Sequence, residues 1–171
     1  ATDALNGFGE IYQRQALASG VIPQITAIFG NSGGGLAVMA SLSDFSFMEK
    51  NNAKLFVNAP NALIGNYKEK LDTSKADFHA KAGTIDYVGE SEEEVIQKIR
   101  ELLLILPSNN EDDDSFDECT DDLNRLIPEL SAIIGDSKRS LTAISDNQSF
   151  FEIKAEYAKE MVVGFIRLNG M

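Results

Sequence analysis

Val21-Ile22-Pro23-Gln24-Ile25-Thr26-Ala27-Ile28-Phe29 runs straight into Gly30-Asn31-Ser32-Gly33-Gly34-Gly35, and Leu36-Ala37-Val38-Met39-Ala40-Ser41-Leu42 follows. The first stretch is apolar and β-branched, which predicts a buried strand over 21–29, with Pro23 tolerable only near its start. The last stretch is small and apolar and predicts a buried helix over 36–42. A strand, a glycine-rich turn and a helix together offer backbone N–H groups to an anion, because glycines let the chain turn sharply and approach a ligand closely.

Several chemistries compete for that turn. A phosphate loop needs Lys-Ser/Thr after its last glycine, and Leu36-Ala37 stands there. A dinucleotide fingerprint needs glycine where Ser32 stands. Gly30-Asn31-Ser32-Gly33-Gly34 fits G-x-S-x-G, so Ser32 is a candidate nucleophile. Its base would have to be His79, the only histidine, with Asp44, Asp72 or Asp77 as the orienting acid. Alternatively, Gly34 and Gly35 N–H groups form an oxyanion hole that needs no side-chain nucleophile. A tight turn with close helix–strand packing is the plain structural alternative.

Outward from this segment, the apolar spacing of Leu5, Phe8, Ile11, Tyr12, Ala16 and Leu17 predicts a helix over 3–19 that Gly20 stops. Strands are expected over 44–48, 54–57 and 84–88. Ser91-Glu92-Glu93-Glu94 is a capping box opening a helix that Pro107 ends, with Val95, Ile99, Leu102, Leu103 and Leu106 inward. Further on, helices are expected over 123–134 and 138–144, a strand over 150–154, a helix from about Ala155 and a strand from about Gly164. Strands alternating with helices predict an α/β protein.

Composition sets the outer bounds. Among 171 residues, 15 Lys+Arg against 27 Asp+Glu give a net charge of −12, which disfavours a nucleic-acid surface. Hydrophobic residues make up 43%, enough for a core. A single cysteine, Cys119, and a single histidine exclude a disulfide framework and any multi-histidine or cysteine-built metal site. Cys119 sits among carboxylates and is expected to be inert; His79 is expected to be a hydrogen-bonded structural residue. Eight of the twelve residues 111–122 are acidic, the pattern of a solvated linker. The run lacks the turn glycine and spaced glutamate of a calcium loop. With no leader-like or membrane-length apolar run, the expectation is a soluble, cytoplasmic protein. The chain starts without Met and ends directly after an apolar run, so a segment of something longer is also expected.

The order of several motifs carries a resemblance. Phe8-Gly9-Glu10-Ile11, Ala18-Ser19-Gly20-Val21-Ile22-Pro23-Gln24-Ile25, the Gly30–Gly35 turn and Asp44-Phe45 come first. Leu106-Pro107-Ser108-Asn109-Asn110, Asp122-Leu123-Asn124, Ile127-Pro128 and Phe150-Phe151-Glu152 follow. Tyr157-Ala158 and Gly164-Phe165-Ile166-Arg167-Leu168-Asn169-Gly170 complete the series. The chain thus resembles the carboxyltransferase subunits of biotin-dependent acyl-CoA carboxylases and decarboxylases. This is the family of propionyl-CoA carboxylase β chains and methylmalonyl-CoA decarboxylase α subunits.

The resemblance implies a partial crotonase-like fold built of ββα units. Residues 1–106 would be the later part of the N-terminal carboxyltransferase domain and 107–122 an acidic linker. Residues 123–171 would be a helical connection leading into the C-terminal carboxyltransferase domain. It implies Gly34 and Gly35 as the catalytic oxyanion hole, and Ser32, Gly33, Ala59, Pro60 and Asn61 as substrate-binding residues. Val38 stands where hydratases of the same superfold carry a catalytic glutamate, which disfavours hydratase chemistry. It further implies an acyl-CoA substrate and biotin on a separate carrier. The implied partners are a biotin carboxyl carrier protein, a biotin carboxylase or decarboxylase membrane subunits, and other copies of the same subunit. A non-catalytic acyl-CoA-binding or assembly module of the same fold is the alternative, and a serine hydrolase using Ser32 a more distant one.

Overall fold

A computed structural model describes residues 2–58, 72–112, 120–122, 124–133, 135–146, 149–158 and 161–166. Two ββα units follow the first helix. Helix α1 (Thr2–Ala18) leads to β1 (Ile25–Ile28), β2 (Asn31–Gly33) and α2 (Gly35–Ser41). Then come β3 (Phe45–Glu49), β4 (Lys54–Phe56) and α3 (Ala76–Ala82). Strand β5 (Tyr87–Gly89) and helix α4 (Glu92–Leu103) come next. In each unit the first strand joins one parallel sheet, in the order β1-β3-β5, and the second joins another, β2-β4. The register sets Ile25 beside Phe45 and Asn31 beside Lys54.

Strand β3 is central and all five of its residues are buried. Its side chains alternate, as the strand period of two requires. Phe45 and Phe47 join a cluster with Val95, Leu102, Phe151 and Ile153, while Met48 joins one with Ile28, Ala37, Ala40, Leu55 and Ile85. Both faces of the sheet are covered, as expected of a parallel sheet.

The turn from β3 to β4 is built by a buried acid. Glu49 is 2% exposed, and its carboxylate accepts the N–H groups of Asn51 (2.8 Å), Asn52 (2.6 Å) and Ala53 (3.3 Å) and the Asn51 side-chain amide (3.0 Å). Burial works to raise its pKa, but this donation outweighs burial and leaves it lowered from the ordinary 4.5. A depressed folded pKa contributes stability that is present above pH 4.5 and is lost as pH falls through the folded value. Glu49→Gln sets an NH2 group against one of these donors. It is expected to cost about 2 kcal/mol at pH 7 and to flatten the acid limb of stability against pH. Urea unfolding at pH 7 and pH 4 checks both; an unchanged midpoint at pH 7 contradicts this role.

Beyond α4 come a 3₁₀ turn (Pro128–Ser131), α5 (Ser137–Ile144) and the antiparallel pair β6 (Phe151–Ile153) and β7 (Val163–Phe165). This later segment is tied to the first part through Asp86. Its buried carboxylate accepts Ser46 N–H (2.8 Å) and meets Lys154 Nζ at 2.8 Å. Phe151 and Ile153 enter the core beside Phe47.

Several expectations need correction. Residues 21–24 are not strand, because the Pro23 region turns the chain before β1 begins. The glycine segment 31–33 is itself a strand, paired with β4. Leu36 is 50% exposed, so α2 buries only Ala37 and Ala40. Leu103 is 53% exposed and faces outward. The 123–134 region holds only a 3₁₀ turn among its described residues, as Pro128 interrupts any longer helix. Residues 155–157 form a turn rather than a helix, because Lys154 has φ +54 and redirects the chain there. Among the described residues, no helix is long and apolar enough to cross a membrane, and no group of three His, Cys, Asp or Glu is placed to hold a metal ion. Cys119 and most of the acidic run lie outside the described residues.

Candidate functional site

The glycine turn is fixed by backbone bonds on both sides. Gly34 has φ +59 and ψ −123, a conformation essentially reserved for glycine. Its N–H donates to the Phe56 carbonyl (3.0 Å), extending the β2–β4 ladder by one rung. Its own carbonyl accepts the N–H groups of Ala37 (3.1 Å) and Val38 (3.4 Å), which starts α2. Of the two glycines predicted to donate to an oxyanion, Gly34 therefore spends its amide inside the fold. The Gly35 N–H has no backbone partner among the described residues.

Close packing explains the other glycines. A Cβ on Gly33 would meet the Phe56 ring at 2.7 Å. A Cβ on Gly35 would meet the Phe8 ring at 2.8 Å and the Tyr12 hydroxyl at 2.9 Å. Helix α1 thus sits directly against the turn, with Phe8, Tyr12 and Gln15 on one helical face. Tyr12 donates to the Gly35 carbonyl (2.9 Å) and Gln15 Nε2 to the Met39 carbonyl (3.1 Å).

A cleft of 310 Å³ borders the turn, walled by α1, β1 and α2. Apolar side chains such as Ile28, Phe29, Leu36 and Met39 line it, with Thr26, Asn31 and Ser32 as polar groups. Among the described residues, no acid, histidine, lysine or arginine is in this lining. Gln15 also lines it, and its buried Oε1 has no hydrogen-bond partner among the described residues. An orphaned buried acceptor costs about 1–3 kcal/mol unless a donor reaches it, so the site suits a ligand carrying an N–H or O–H group.

Ser32 and Gly33 lie in β2 at this cleft and beside Phe56 respectively, whereas Ala59, Pro60 and Asn61 lie outside the described residues. His79 does not act on Ser32. Its Nε2 is 2.8 Å from the Leu55 carbonyl, which can only accept, so Nε2 carries the proton. Its Nδ1 is 2.8 Å from Thr84 Oγ1. Both ring nitrogens are engaged, as expected of a structural histidine, and neither is free to take a serine proton. Phe8, Tyr12, Gln15 and Phe56 were not legible as site residues. Their helical or strand spacing marks them as core, and only the tertiary contact with the turn reveals their place.

The family model described as the carboxyl transferase domain matches residues 1–171. The carboxyltransferase subunit of propionyl-CoA carboxylase from Haloferax mediterranei is 36% identical over 98% of this chain and 34% of its own length. Methylmalonyl-CoA decarboxylase subunit alpha from Propionigenium modestum is 32% identical over 99% of this chain and 35% of its own. The chain thus spans about a third of the length of the curated relatives it matches. The transcarboxylase 12S core, solved with hydrolysed methylmalonyl-coenzyme A bound, superposes with a TM-score of 0.88 at 30% identity. That likeness covers 99% of this chain and 36% of the other, and the ββα units are those of its crotonase-like fold. By its sequence and by its architecture, the chain belongs to the carboxyl transferase domain family.

Proposed function

We propose that these residues are part of a biotin-dependent carboxyltransferase subunit that moves a carboxyl group between carboxybiotin and an acyl-CoA of the propionyl or methylmalonyl type. The observation that carries the reading is the Gly30–Gly35 turn. Its Gly35 N–H has no backbone partner, and its Gly30, Asn31 and Ser32 line a cleft that holds no side-chain acid or base among the described residues. Such a site suits a reaction that stabilises charge on a thioester oxygen and leaves proton transfer to a group other than a protein side chain. Biotin, on a separate carrier protein, supplies the carboxyl group and the proton acceptor. The Gln15 Oε1 acceptor suits the N–H groups that the substrate's pantetheine arm or a ureido ring would bring.

In this mechanism the Gly35 N–H polarises the thioester carbonyl and holds the enolate oxygen as the α-proton leaves. Gly34 holds the turn that aims that N–H. Ser32 and Gly33, with Ala59, Pro60 and Asn61, are assigned to substrate contact on the resemblance. The same basis assigns residues 1–106 to the later N-terminal domain, 107–122 to a linker and 123–171 to the lead-in to the C-terminal domain. A cytoplasmic homo-oligomer working with a biotin carboxylase or with decarboxylase membrane subunits completes the proposal.

The test compares this chain with a subunit extended to the relatives' length, assayed for carboxyl transfer from carboxybiotin to propionyl-CoA. Turnover is expected of the extended subunit alone. The 171-residue chain alone is expected to be inactive, and turnover by it would overturn the proposal that these residues are only one part of the catalytic unit. So would a folded extended subunit that binds acyl-CoA without turnover, which would favour a non-catalytic binding module.

A further inference from the structure

We propose that Tyr12 is a positioning residue for the oxyanion hole, an inference that rests on the carboxyltransferase reading above. Glycine has no side chain to fix its backbone, so a glycine donor must be held by its neighbours. Most of the bonds that hold this turn are backbone to backbone: Gly34 N–H to the Phe56 carbonyl, and the Gly34 carbonyl to Ala37 and Val38. Tyr12 is the one side chain that hydrogen-bonds the 33–36 backbone among the described residues, donating to the Gly35 carbonyl at 2.9 Å.

The contact is well supported. Tyr12 stacks on Phe8, one helical turn away, with ring centroids 5.8 Å apart and planes 26° apart. Phe8 in turn closes on the Gly35 α-carbon. Gln15, on the same face, ties the next turn of α1 to Met39, and Gln24 Nε2 donates to the Gln15 carbonyl (2.9 Å) from the far end. Helix α1 buries no residue completely, so this seam of contacts fixes it on α2. The Gly34 carbonyl, in the same peptide plane as the Gly35 N–H, is held by α2, and Tyr12 holds the next peptide plane through the Gly35 carbonyl, so Tyr12 limits the rotation about the Gly35 α-carbon that would let the first plane swing. A small misplacement of a preorganised donor weakens stabilisation of the transition state more than binding of the ground state.

Tyr12→Phe in the full-length subunit keeps the ring stack and removes only the hydroxyl. The variant is expected to lower kcat for carboxyl transfer about 10-fold and to leave the acyl-CoA KM within about 2-fold. Gln24→Ala loosens α1 without touching the turn and is expected to keep kcat within about 2-fold of wild type. Thermal midpoints measured side by side verify that both variants are folded. An equal kcat loss in both variants would overturn the proposal, since a loosened helix would then suffice. Wild-type kcat for Tyr12→Phe, with transfer abolished by Gly34→Ala, would also overturn it while leaving the carboxyltransferase reading in place. Wild-type transfer by Gly34→Ala would remove the reading itself.

Discussion

Replacing Gly34 with alanine in the full-length subunit is expected to lower carboxyl transfer by about 10²–10³-fold, the loss typical of removing one oxyanion donor. No atom lies within 4 Å of the position a Cβ would take there, so steric contact is not the cause. The backbone is. At φ +59 and ψ −123 an L-residue is strained by about 1–3 kcal/mol. Relief requires rotating the peptide units that hold the Phe56 bond and aim the Gly35 N–H. Gly20→Ala is the matched control. It also has positive φ (+75) and open space, but it ends α1 away from the turn. It is expected to cost about 1 kcal/mol of stability and to leave transfer unchanged. Steady-state assays of both variants check this, and near-wild-type transfer by Gly34→Ala would contradict the role of the turn.

Phe47→Ala is expected to produce the largest loss of stability, about 3–5 kcal/mol. Phe47 is fully buried in the central strand β3. Its ring meets Tyr87 at 5.9 Å and Phe151 at 6.3 Å between centroids, so it joins the parallel sheet to the 149–158 segment. Against a typical domain stability of about 5–15 kcal/mol, this leaves little margin at 37 °C. The urea midpoint of the variant checks it, and a change below about 1 kcal/mol would contradict the assignment of the core.

What the sequence disclosed depended on the kind of signal. Helix α4 was legible because local chemistry defines it. The Ser91 hydroxyl accepts the Glu94 N–H at 3.2 Å, and Glu94 reaches back to the Glu90 N–H at 2.8 Å. Helix α3 was not, because it buries only Ala76 and Ala80, and small residues leave a weak periodic pattern. Strand β2 was hidden by its glycine and asparagine, which disfavour strands. It forms because β4 lies beside it to pair. The periodicity of α1 predicted the helix but not its exposure: Leu5 and Leu17 are 73% and 72% exposed, since no described element covers that face. The candidate site divides the same way. The glycines were visible as a turn, whereas the bond that occupies the Gly34 amide and the aromatic residues that close on Gly35 come from distant positions in the chain.

The most direct test of the central claim follows a radiolabelled carboxyl group from methylmalonyl-CoA to free biotin, catalysed by the full-length subunit with and without Gly34→Ala. The account predicts label in biotin with the wild type and its loss, in a folded protein, with the variant. Thioester hydrolysis in place of transfer, blocked by a fluorophosphonate that modifies Ser32, would contradict it.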